Sequence, residues 1–304
     1  MSIITTETRP VAVDIGNGNV KTPNFCFKSG VDMYNDEPTL SADFFQYDRK
    51  FHVVGEKRMI YTADKTTTED CRILTIAGIL KEMDEIGVKD LYAHLAVGLP
   101  LGWCSKAQKN ALIGYYMDKA DMDVIWHSQL YTIHLSSVNV YPQSFAAACL
   151  YDVSGNTMIA DLGNGTLSTM MIIDGKPIEN SIATDRIGVG KALEEIKHEI
   201  AKREGYEVDD NLVEPMLIKG VEPSNPYYGI ISDIAMKYAQ SIISTIRNNG
   251  FKSGLMKLYI FGGGGCLIKN FTDFENTAGV HIVDDICANA KGYLQLVSRK
   301  YADM

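Results

Sequence analysis

Residues 11–22, Val11-Ala-Val-Asp-Ile-Gly-Asn-Gly-Asn-Val-Lys-Thr22, indicate the fold most directly. The β-branched run before Asp14 predicts a strand that ends at this carboxylate. Gly16 and Gly18 permit positive φ angles, so we expect a tight turn and a return strand that carries Lys21. Backbone N–H groups in such a turn can bind phosphate oxygens, Lys21 can reach a phosphate, and Asp14 can hold Mg²⁺ through water. Taken alone, Asn-Gly between two β-rich runs is also the commonest signal of an ordinary hairpin.

The same pattern recurs 147 residues later, where residues 158–169 read Met-Ile-Ala-Asp-Leu-Gly-Asn-Gly-Thr-Leu-Ser-Thr. Asp161 aligns with Asp14, whereas Ser168 aligns with Lys21, so only the first copy carries a cation. A repeat of about one domain length predicts two lobes with matching hairpins, which clamp a polyphosphate and a metal between the two aspartates. The candidate turn residues are Gly16, Asn17, Gly18 and Asn19 in the first copy and Gly163, Asn164, Gly165 and Thr166 in the second.

Composition narrows the classes of protein and site to consider. The 304 residues are 46% hydrophobic, which is enough for two cores, and the net charge of −9 argues against direct binding to DNA or to an anionic membrane. The six cysteines show no CxxC pair and the six histidines no i, i+4 pair, so reduced thiols and no histidine metal site are expected. We find neither a signal peptide nor a membrane-spanning segment and expect a cytoplasmic protein.

Hydrophobic periodicity gives an alternation of strands and helices, which predicts an α/β protein. We expect domain I over 1–150 with a small α/β insertion at about 23–75, and domain II over 151–284 with a helical insertion at about 190–250. A helix within about 285–304 is expected to pack back on domain I. The predicted helices are 72–86, 106–117, 143–151, 191–203, 227–249 and 285–299. The predicted strands or hairpins are 11–22, 43–47, 50–54, 91–97, 129–141, 157–174 with its turn at Asp174-Gly175, a strand from 177, 256–261 and 280–283. Residues 205–226, which contain three prolines, are expected to interrupt the helices.

Two further features are candidates for ligand contacts. Four glycines, Gly262, Gly263, Gly264 and Gly265, follow a predicted strand and would allow close approach by a flat ligand such as a purine, although a plain flexible loop reads the same way. Pro142 suits the first turn of a helix, and the amide of Gln143 after it could orient a water molecule. An exposed helix residue is the other interpretation of Gln143.

Taken in order, these motifs resemble the actin, Hsp70 and sugar-kinase superfamily, and within it bacterial ParM-like (StbA) plasmid-segregation actins. The resemblance spans nearly the whole chain and covers residues 13–21, 97–100, 141–144, 159–166, 262–265 and 288–292. It implies two phosphate motifs at Asp14 to Lys21 and at Asp161 to Thr166, an adenosine motif in the glycine run, a connecting helix at Gln143 and a second around Asn289. Gly190 is included among the implied nucleotide contacts. ParM has glutamate where Gln143 stands, whereas actin has glutamine.

The resemblance therefore implies an actin-like ATPase fold, with two ribonuclease-H-like lobes around a nucleotide cleft. It implies catalytic roles for Gln143, Asp161 and Asp14, with Mg²⁺ held by the two aspartates and ATP, or alternatively GTP, as the nucleotide. By the same resemblance the chain would assemble head to tail into filaments and move plasmid DNA through a basic centromere-binding adaptor, with no direct contact to nucleic acid or membrane. Two alternatives stay open: a small-molecule kinase of the same superfamily, and a cell-shape or cell-division actin.

Overall fold

A computed structural model describes residues 8–41, 43–59 and 67–302. Its contacts divide the chain into two compact units: unit 1 comprises Met1–Ala147 and Asn289–Met304, and unit 2 comprises Ala148–Ala288. Each unit has its own β-sheet and its own hydrophobic core. Within the described ranges, no helix is both long enough and apolar enough to cross a membrane.

Unit 1 is built on eight strands that pair in the order β1-β2-β3-β5-β4-β7-β8-β6, and β6 also pairs with β1. The β1–β6 and β6–β8 pairs are parallel, and the other neighbours are antiparallel. The strands are β1 (Arg9–Ile15), β2 (Asn19–Lys21), β3 (Cys26–Tyr34), β4 (Phe44–Tyr47), β5 (Lys50–Gly55), β6 (Asp90–Leu99), β7 (Asp121–Trp126) and β8 (Gln129–Pro142).

The helices of this unit are α1 (Glu69–Glu85), α2 (Lys106–Met117), the short α3 (Phe145–Ala148) and α8 (Ala288–Tyr301), with a 3₁₀ turn at Leu101–Trp103. Thr68 caps α1, because its hydroxyl accepts a hydrogen bond from the N–H of Cys71. Gly78 lets α1 lie close to β1, since a Cβ there would come 3.1 Å from Val13 Cγ1. The predicted helices at 72–86 and 106–117 are thus confirmed, the first with an earlier start.

Two strands of unit 1 were not predicted from the sequence, namely β3 and β7. Residues 23–75, expected to be a small α/β insertion, carry β3, β4, β5 and the beginning of α1, and the three strands belong to the same sheet as β1. The turn before β8 uses His127 and Ser128 with φ of 49° and 58°. His-Ser is not one of the Asn-Gly, Asp-Gly or Gly-Gly pairs that are typical of such turns, so the sequence carries no hairpin signal there.

Unit 2 contains a five-stranded sheet in the order β11-β10-β9-β12-β13, with β12 parallel to both β9 and β13. Its strands are β9 (Asn156–Leu162), β10 (Leu167–Ile173), β11 (Lys176–Asp185), β12 (Lys257–Phe261) and β13 (Val280–Ile282). Its helices are α4 (Val189–Glu204), α5 (Asp210–Lys219), α6 (Tyr228–Asn248) and α7 (Gly265–Phe271), with a 3₁₀ turn at Phe274–Asn276. The predicted hairpin turn at Asp174-Gly175 is confirmed, with φ of 47° and 77°.

The expectation that residues 205–226 only interrupt the helices was wrong, because α5 lies within this range. Asp209 begins α5 by accepting a hydrogen bond from the N–H of Asn211 at 2.7 Å. Pro215 stands inside the helix, yet Val213 and Leu217 are buried in the core of unit 2. Burial of this apolar face outweighs the cost of the proline, which is about 3 kcal/mol in a helix interior.

Candidate functional site

The first glycine turn, in unit 1, joins β1 to β2 as the sequence predicts. Asp14 pairs with Lys21 across the hairpin, and Gly16 N donates to Asn19 O at 2.9 Å. The expected positive φ was wrong for both Gly16 and Gly18, and the reason for a glycine at position 16 is a different one. Glycine is needed there for a close approach instead, since a Cβ would lie only 2.8 Å from Asn19 O and 3.3 Å from Lys21 Nζ.

Asp14 is the centre of a buried polar cluster at the end of β1. Its side chain is 2% exposed, and its Oδ1 accepts hydrogen bonds from Gln143 Nε2 at 2.9 Å and from the Tyr293 hydroxyl at 3.2 Å. Its Oδ2 faces Lys21 Nζ at 3.9 Å. Strand β1, strand β2, the segment after β8 and helix α8 therefore each deliver one member of the cluster, and the donors compensate for burying a carboxylate.

Gln143 reaches this cluster by a route that differs from the predicted one. Pro142 does not open a helix: it is the last residue of β8 and pairs with Leu99 of β6. Gln143 continues this pairing, because its N–H donates to Leu99 O at 2.8 Å. The chain then turns at Ser144, where φ is 61° and the N–H donates to Asn289 Oδ1 at 2.7 Å, before the one-turn helix α3. The predicted helix over 143–151 was thus wrong in extent.

A small pocket in unit 1 lies beside Gln143 and has mostly apolar walls. Cys71 and Tyr116, two of its lining residues, are almost fully buried. An apolar wall favours a dry environment for the Gln143 amide, in which hydrogen bonds are stronger than in bulk water. The lining residues are Val13, Ile15, Cys71, Val97, Gly98, Pro100, Leu112, Tyr116 and Gln143.

The second glycine turn, in unit 2, repeats the hydrogen bonding of the first. Asp161 pairs with Ser168 as Asp14 pairs with Lys21, and Gly163 N donates to Thr166 O at 2.9 Å, the same distance as in the first turn. In each unit the first strand of the hairpin also pairs in parallel with a neighbour, β1 with β6 and β9 with β12. The internal repeat seen in the sequence is therefore a repeat of backbone pairing.

The second turn is packed against the beginning of helix α4. Gly190 N donates to Asn164 O at 2.8 Å, and Val189 N donates to Gly163 O at 3.3 Å. A Cβ on Gly188 would overlap Asn164 O, and one on Gly190 would lie 2.9 Å from the same atom. The positive end of the helix dipole is thereby placed next to the turn, which favours an anion there. The structure thus brings Gly190 together with the predicted turn residues.

The glycine run also reaches the second turn, but two of its members serve the packing of the chain itself. Gly262 has a φ of 89°, and a Cβ there would lie 2.6 Å from Leu162 O and 2.9 Å from Asp161 Oδ1. Gly264 N donates to Leu162 O at 3.0 Å. At Gly263, by contrast, an added Cβ would meet no atom within 4 Å. Gly265 begins α7. The sequence predicts close approach of a ligand to these glycines. At Gly262 and Gly264 it is Leu162 of the same chain that comes close.

The oxygen atoms of the first turn fit the chemistry of Mg²⁺. Asp14 supplies a carboxylate, and Asn17 Oδ1 is buried without a hydrogen-bond partner in the described part of the chain. Mg²⁺ is held by one or two carboxylates, by waters and by phosphate oxygens rather than by a protein cage, so a partnerless amide oxygen can accept from a metal-bound water. The described residues contain no group of three or more His, Cys, Asp or Glu that could hold a metal.

The structure thus gathers the predicted residues into two sets, one in each unit. The sequence did not identify Tyr293 as part of the first set. The only available signal was its position just after Asn289 and Gly292 in the second connecting segment. The unit 1 set is Asp14, Gly16, Asn17, Gly18, Asn19, Lys21 and Gln143, and the unit 2 set is Asp161, Gly163, Asn164, Gly165, Thr166, Gly190 and Gly262 to Gly265.

Comparison with known proteins identifies the fold. No protein-family model and no curated protein sequence matches the chain. The archaeal actin homologue Ta0583, solved in complex with ADP, is 20% identical over 96% of this chain and 100% of its own, with a TM-score of 0.75. The pSK41 ParM protein is 15% identical over 98% and 99% of the two chains, with a TM-score of 0.72. Bacillus thuringiensis ParM with ATP is 15% identical over 96% of this chain and 98% of its own, with a TM-score of 0.69. The chain therefore has an actin-like α/β fold, as the sequence predicts.

Proposed function

We propose that the protein is an ATPase that assembles into filaments in the manner of actin. The observation that carries the proposal is the pair of glycine turns with the same hydrogen-bond register, each beginning at an aspartate and each placed within an actin-like fold. The ADP and ATP complexes of proteins with the same fold support an adenine nucleotide as the ligand. GTP is the alternative nucleotide.

In this proposal each residue set has its own task in nucleotide binding. The backbone N–H groups of both turns bind phosphate oxygens, and Lys21 adds a positive charge on the unit 1 side. Asp14 and Asp161 hold Mg²⁺ through water, and the ion neutralises charge on the phosphates when bound. The glycine run, above all Gly263, receives the adenosine. Gly190 keeps the beginning of α4 against the second turn.

The role of Gln143 in this proposal is to hold the water that attacks the terminal phosphate. Its Nε2 donates to the Asp14 carboxylate, which can only accept, so its Oε1 is the atom left to accept a hydrogen bond from water. An amide cannot take up the proton, but it can hold water in line with the phosphorus atom. Gln143 is therefore a catalytic residue that acts by orientation.

Self-association and an adaptor complete the proposal. Head-to-tail contacts that do not close into a ring give an open filament. Such a filament could move plasmid DNA through a basic, centromere-binding adaptor, since a chain with a net charge of −9 attracts a basic protein and repels bare DNA and anionic membranes.

The experiment is 90° light scattering of the purified chain with Mg²⁺ and ATP, ADP, GTP or no nucleotide, with phosphate release measured on the same samples. We expect scattering to rise with the triphosphate and not with ADP, followed by phosphate release. Asp161→Ala should abolish the release, whereas Asp174→Ala, at the far turn of the same hairpin, should retain it. Hydrolysis without any rise in scattering would favour a kinase-like enzyme instead, and no nucleotide binding at all would refute the proposal.

A further inference from the structure

The Tyr293 hydroxyl and the Gln143 amide donate hydrogen bonds to the same carboxylate oxygen, Asp14 Oδ1. Tyr293 is on helix α8, is 0% exposed, and reaches Asp14 Oδ1 at 3.2 Å across 279 positions of sequence. Gln143 Nε2 reaches this oxygen at 2.9 Å. A carboxylate oxygen has two lone pairs, so these two donors fill it and leave Oδ2 to face Lys21.

Strand β6 has a gap in its side chains at the place where this hydroxyl lies. Gly98 forms the gap, because a Cβ at that position would overlap the Tyr293 hydroxyl and would lie 3.1 Å from Gln143 Cγ. The φ of Gly98 is not in the left-handed region, so backbone conformation does not require a glycine there. Space for the phenol and for the glutamine side chain is the physical reason for this glycine.

A buried tyrosine needs some hydrogen-bond partner, and a backbone carbonyl would satisfy that need. Here a buried carboxylate at the end of β1 accepts a hydrogen bond from the phenol. The phenol restrains the Asp14 side chain from one side while the amide approaches it from another. Rotation of Asp14 would break both hydrogen bonds, so the orientation of Gln143 depends on Tyr293 through Asp14.

We propose that Tyr293 is a positioning residue for Gln143 and Asp14: its hydroxyl fixes the carboxylate, and the carboxylate fixes the amide. The role in hydrolysis rests on the proposed ATPase function. Hydrogen-bond partners of a metal-holding carboxylate, lying outside the metal's own ligands, commonly change activity by about 10- to 100-fold when they are removed. The structure thereby gives helix α8 a part in the chemistry of the first turn.

Tyr293→Phe removes the hydroxyl and keeps the ring. The matched control is Tyr141→Phe, because Tyr141 stacks on Tyr293 with ring centroids 6.2 Å apart and its hydroxyl makes neither of the Asp14 contacts. The first readout needs no nucleotide: the ¹⁵N side-chain amide resonance of Gln143, assigned by its loss in Gln143→Ala. We expect Tyr293→Phe to shift this resonance and to speed its exchange with water, and Tyr141→Phe to leave it unchanged.

The second readout separates binding from turnover. We expect kcat for phosphate release to fall about tenfold in Tyr293→Phe, with ATP affinity within about twofold of wild type, because the phenol acts on Gln143 through its hydrogen bond to Asp14. Tyr141→Phe should match wild type in both. Gly98→Ala keeps the Tyr293 hydroxyl but displaces it, so it should also lower kcat. This variant replaces Tyr293→Phe in the test if Tyr293→Phe does not fold.

An unchanged Gln143 resonance together with a normal kcat in Tyr293→Phe would overturn the proposal. A parallel loss in Tyr141→Phe would also overturn it, because the effect would then come from aromatic packing. If wild type hydrolyses no nucleotide, the proposed function fails by itself, and the amide resonance still decides whether Tyr293 fixes Gln143.

Discussion

Lys21 lies beside the first glycine turn and faces Asp14. The ammonium group lies 3.9 Å from Asp14 Oδ2, and the side chain is 15% exposed. Asp14 Oδ1 already has two donors, so the carboxylate does not depend on Lys21 alone. In the proposed function, Lys21 is therefore available to a phosphate group.

Lys21→Ala should weaken ATP binding by roughly ten- to a hundredfold, since a charge-assisted hydrogen bond contributes about 1.5 to 3 kcal/mol. Lys21→Arg should restore the affinity only in part, because the planar guanidinium has a different shape. Isothermal titration with ATP measures both, and Lys50→Ala on β5 serves as the control for loss of a positive charge. Wild-type affinity in Lys21→Ala would show that this lysine pairs only with Asp14.

His52 should make the folded state sensitive to mild acid. Burial of the ring, which is 3% exposed, lowers the pKa of His52 below its usual value of 6.5. Its contribution to stability is therefore fully present above pH 6.5 and is lost as the pH falls from there towards the folded-state pKa. Nε2 hydrogen bonds with Tyr47 O at 3.2 Å, and Nδ1 is buried without a partner in the described residues, so a second ring proton would have no acceptor.

The free energy of unfolding, measured with urea between pH 7.5 and 5.5, should fall more steeply for wild type than for His52→Gln. The glutamine amide can donate to Tyr47 O and does not titrate in this range. Exposed His127→Gln is the control and should keep the wild-type slope. Equal slopes for wild type and His52→Gln would show that the ring is protonated in the fold without penalty.

Helices α1 and α2 provide a matched pair of interior glycines. At Gly78 of α1 a Cβ would lie 3.1 to 3.2 Å from Val13 and Thr22, whereas at Gly114 of α2 it would meet no atom within 4 Å. The first glycine therefore lets a helix lie close to β1, and the second has no such contact to preserve.

Gly114→Ala should raise the free energy of unfolding by about 0.5 to 1 kcal/mol through helix propensity. Gly78→Ala should lower it by roughly 1 to 3 kcal/mol, because the gain in propensity is smaller than the cost of crowding a packed interior. Urea unfolding of the two variants gives both values. A stabilised Gly78→Ala protein would mean that α1 can shift away from β1 at little cost.

For the whole molecule, the proposed function predicts that assembly and hydrolysis can be separated at Gln143. Gln143→Ala should still bind ATP and assemble, because the amide hydrogen bonds to the Asp14 side chain, whereas in the proposed function the phosphates are bound by the backbone N–H groups of the two glycine turns. It should release phosphate at least about tenfold more slowly, a loss of roughly 1.4 kcal/mol of transition-state stabilisation. Its filaments should outlast those of wild type once free ATP is exhausted.

Sedimentation and phosphate release, followed over time on one sample, measure both effects. Gln108→Ala on α2, which removes an exposed amide elsewhere in unit 1, is the control and should behave as wild type. A normal rate of hydrolysis in Gln143→Ala would show that Gln143 does not orient the attacking water. A complete failure to assemble would show that Gln143 acts before hydrolysis.

The sequence by itself determined the two glycine turns, most helices and the actin-like fold. Each turn is held by contacts within a few residues, such as Gly16 N to Asn19 O, so a local pattern is sufficient to predict it. The repeat of that pattern then predicted two similar units. The hairpin at Asp174-Gly175 was also recognised from a local pattern, because its turn uses residues that favour positive φ.

Only the tertiary structure decided where Gln143 and Tyr293 lie. Pro142 looks like a helix start in sequence, but pairing of β8 with β6 extends the strand through it, and such pairing depends on residues more than 40 positions away. Asp14 and Tyr293 are 279 positions apart, and no local propensity relates them. Their contact exists because β6 offers a glycine gap at Gly98 into which helix α8 can place a phenol. Side-chain packing between distant segments fixed this part of the site, whereas hydrogen bonds within a few residues fixed the glycine turns.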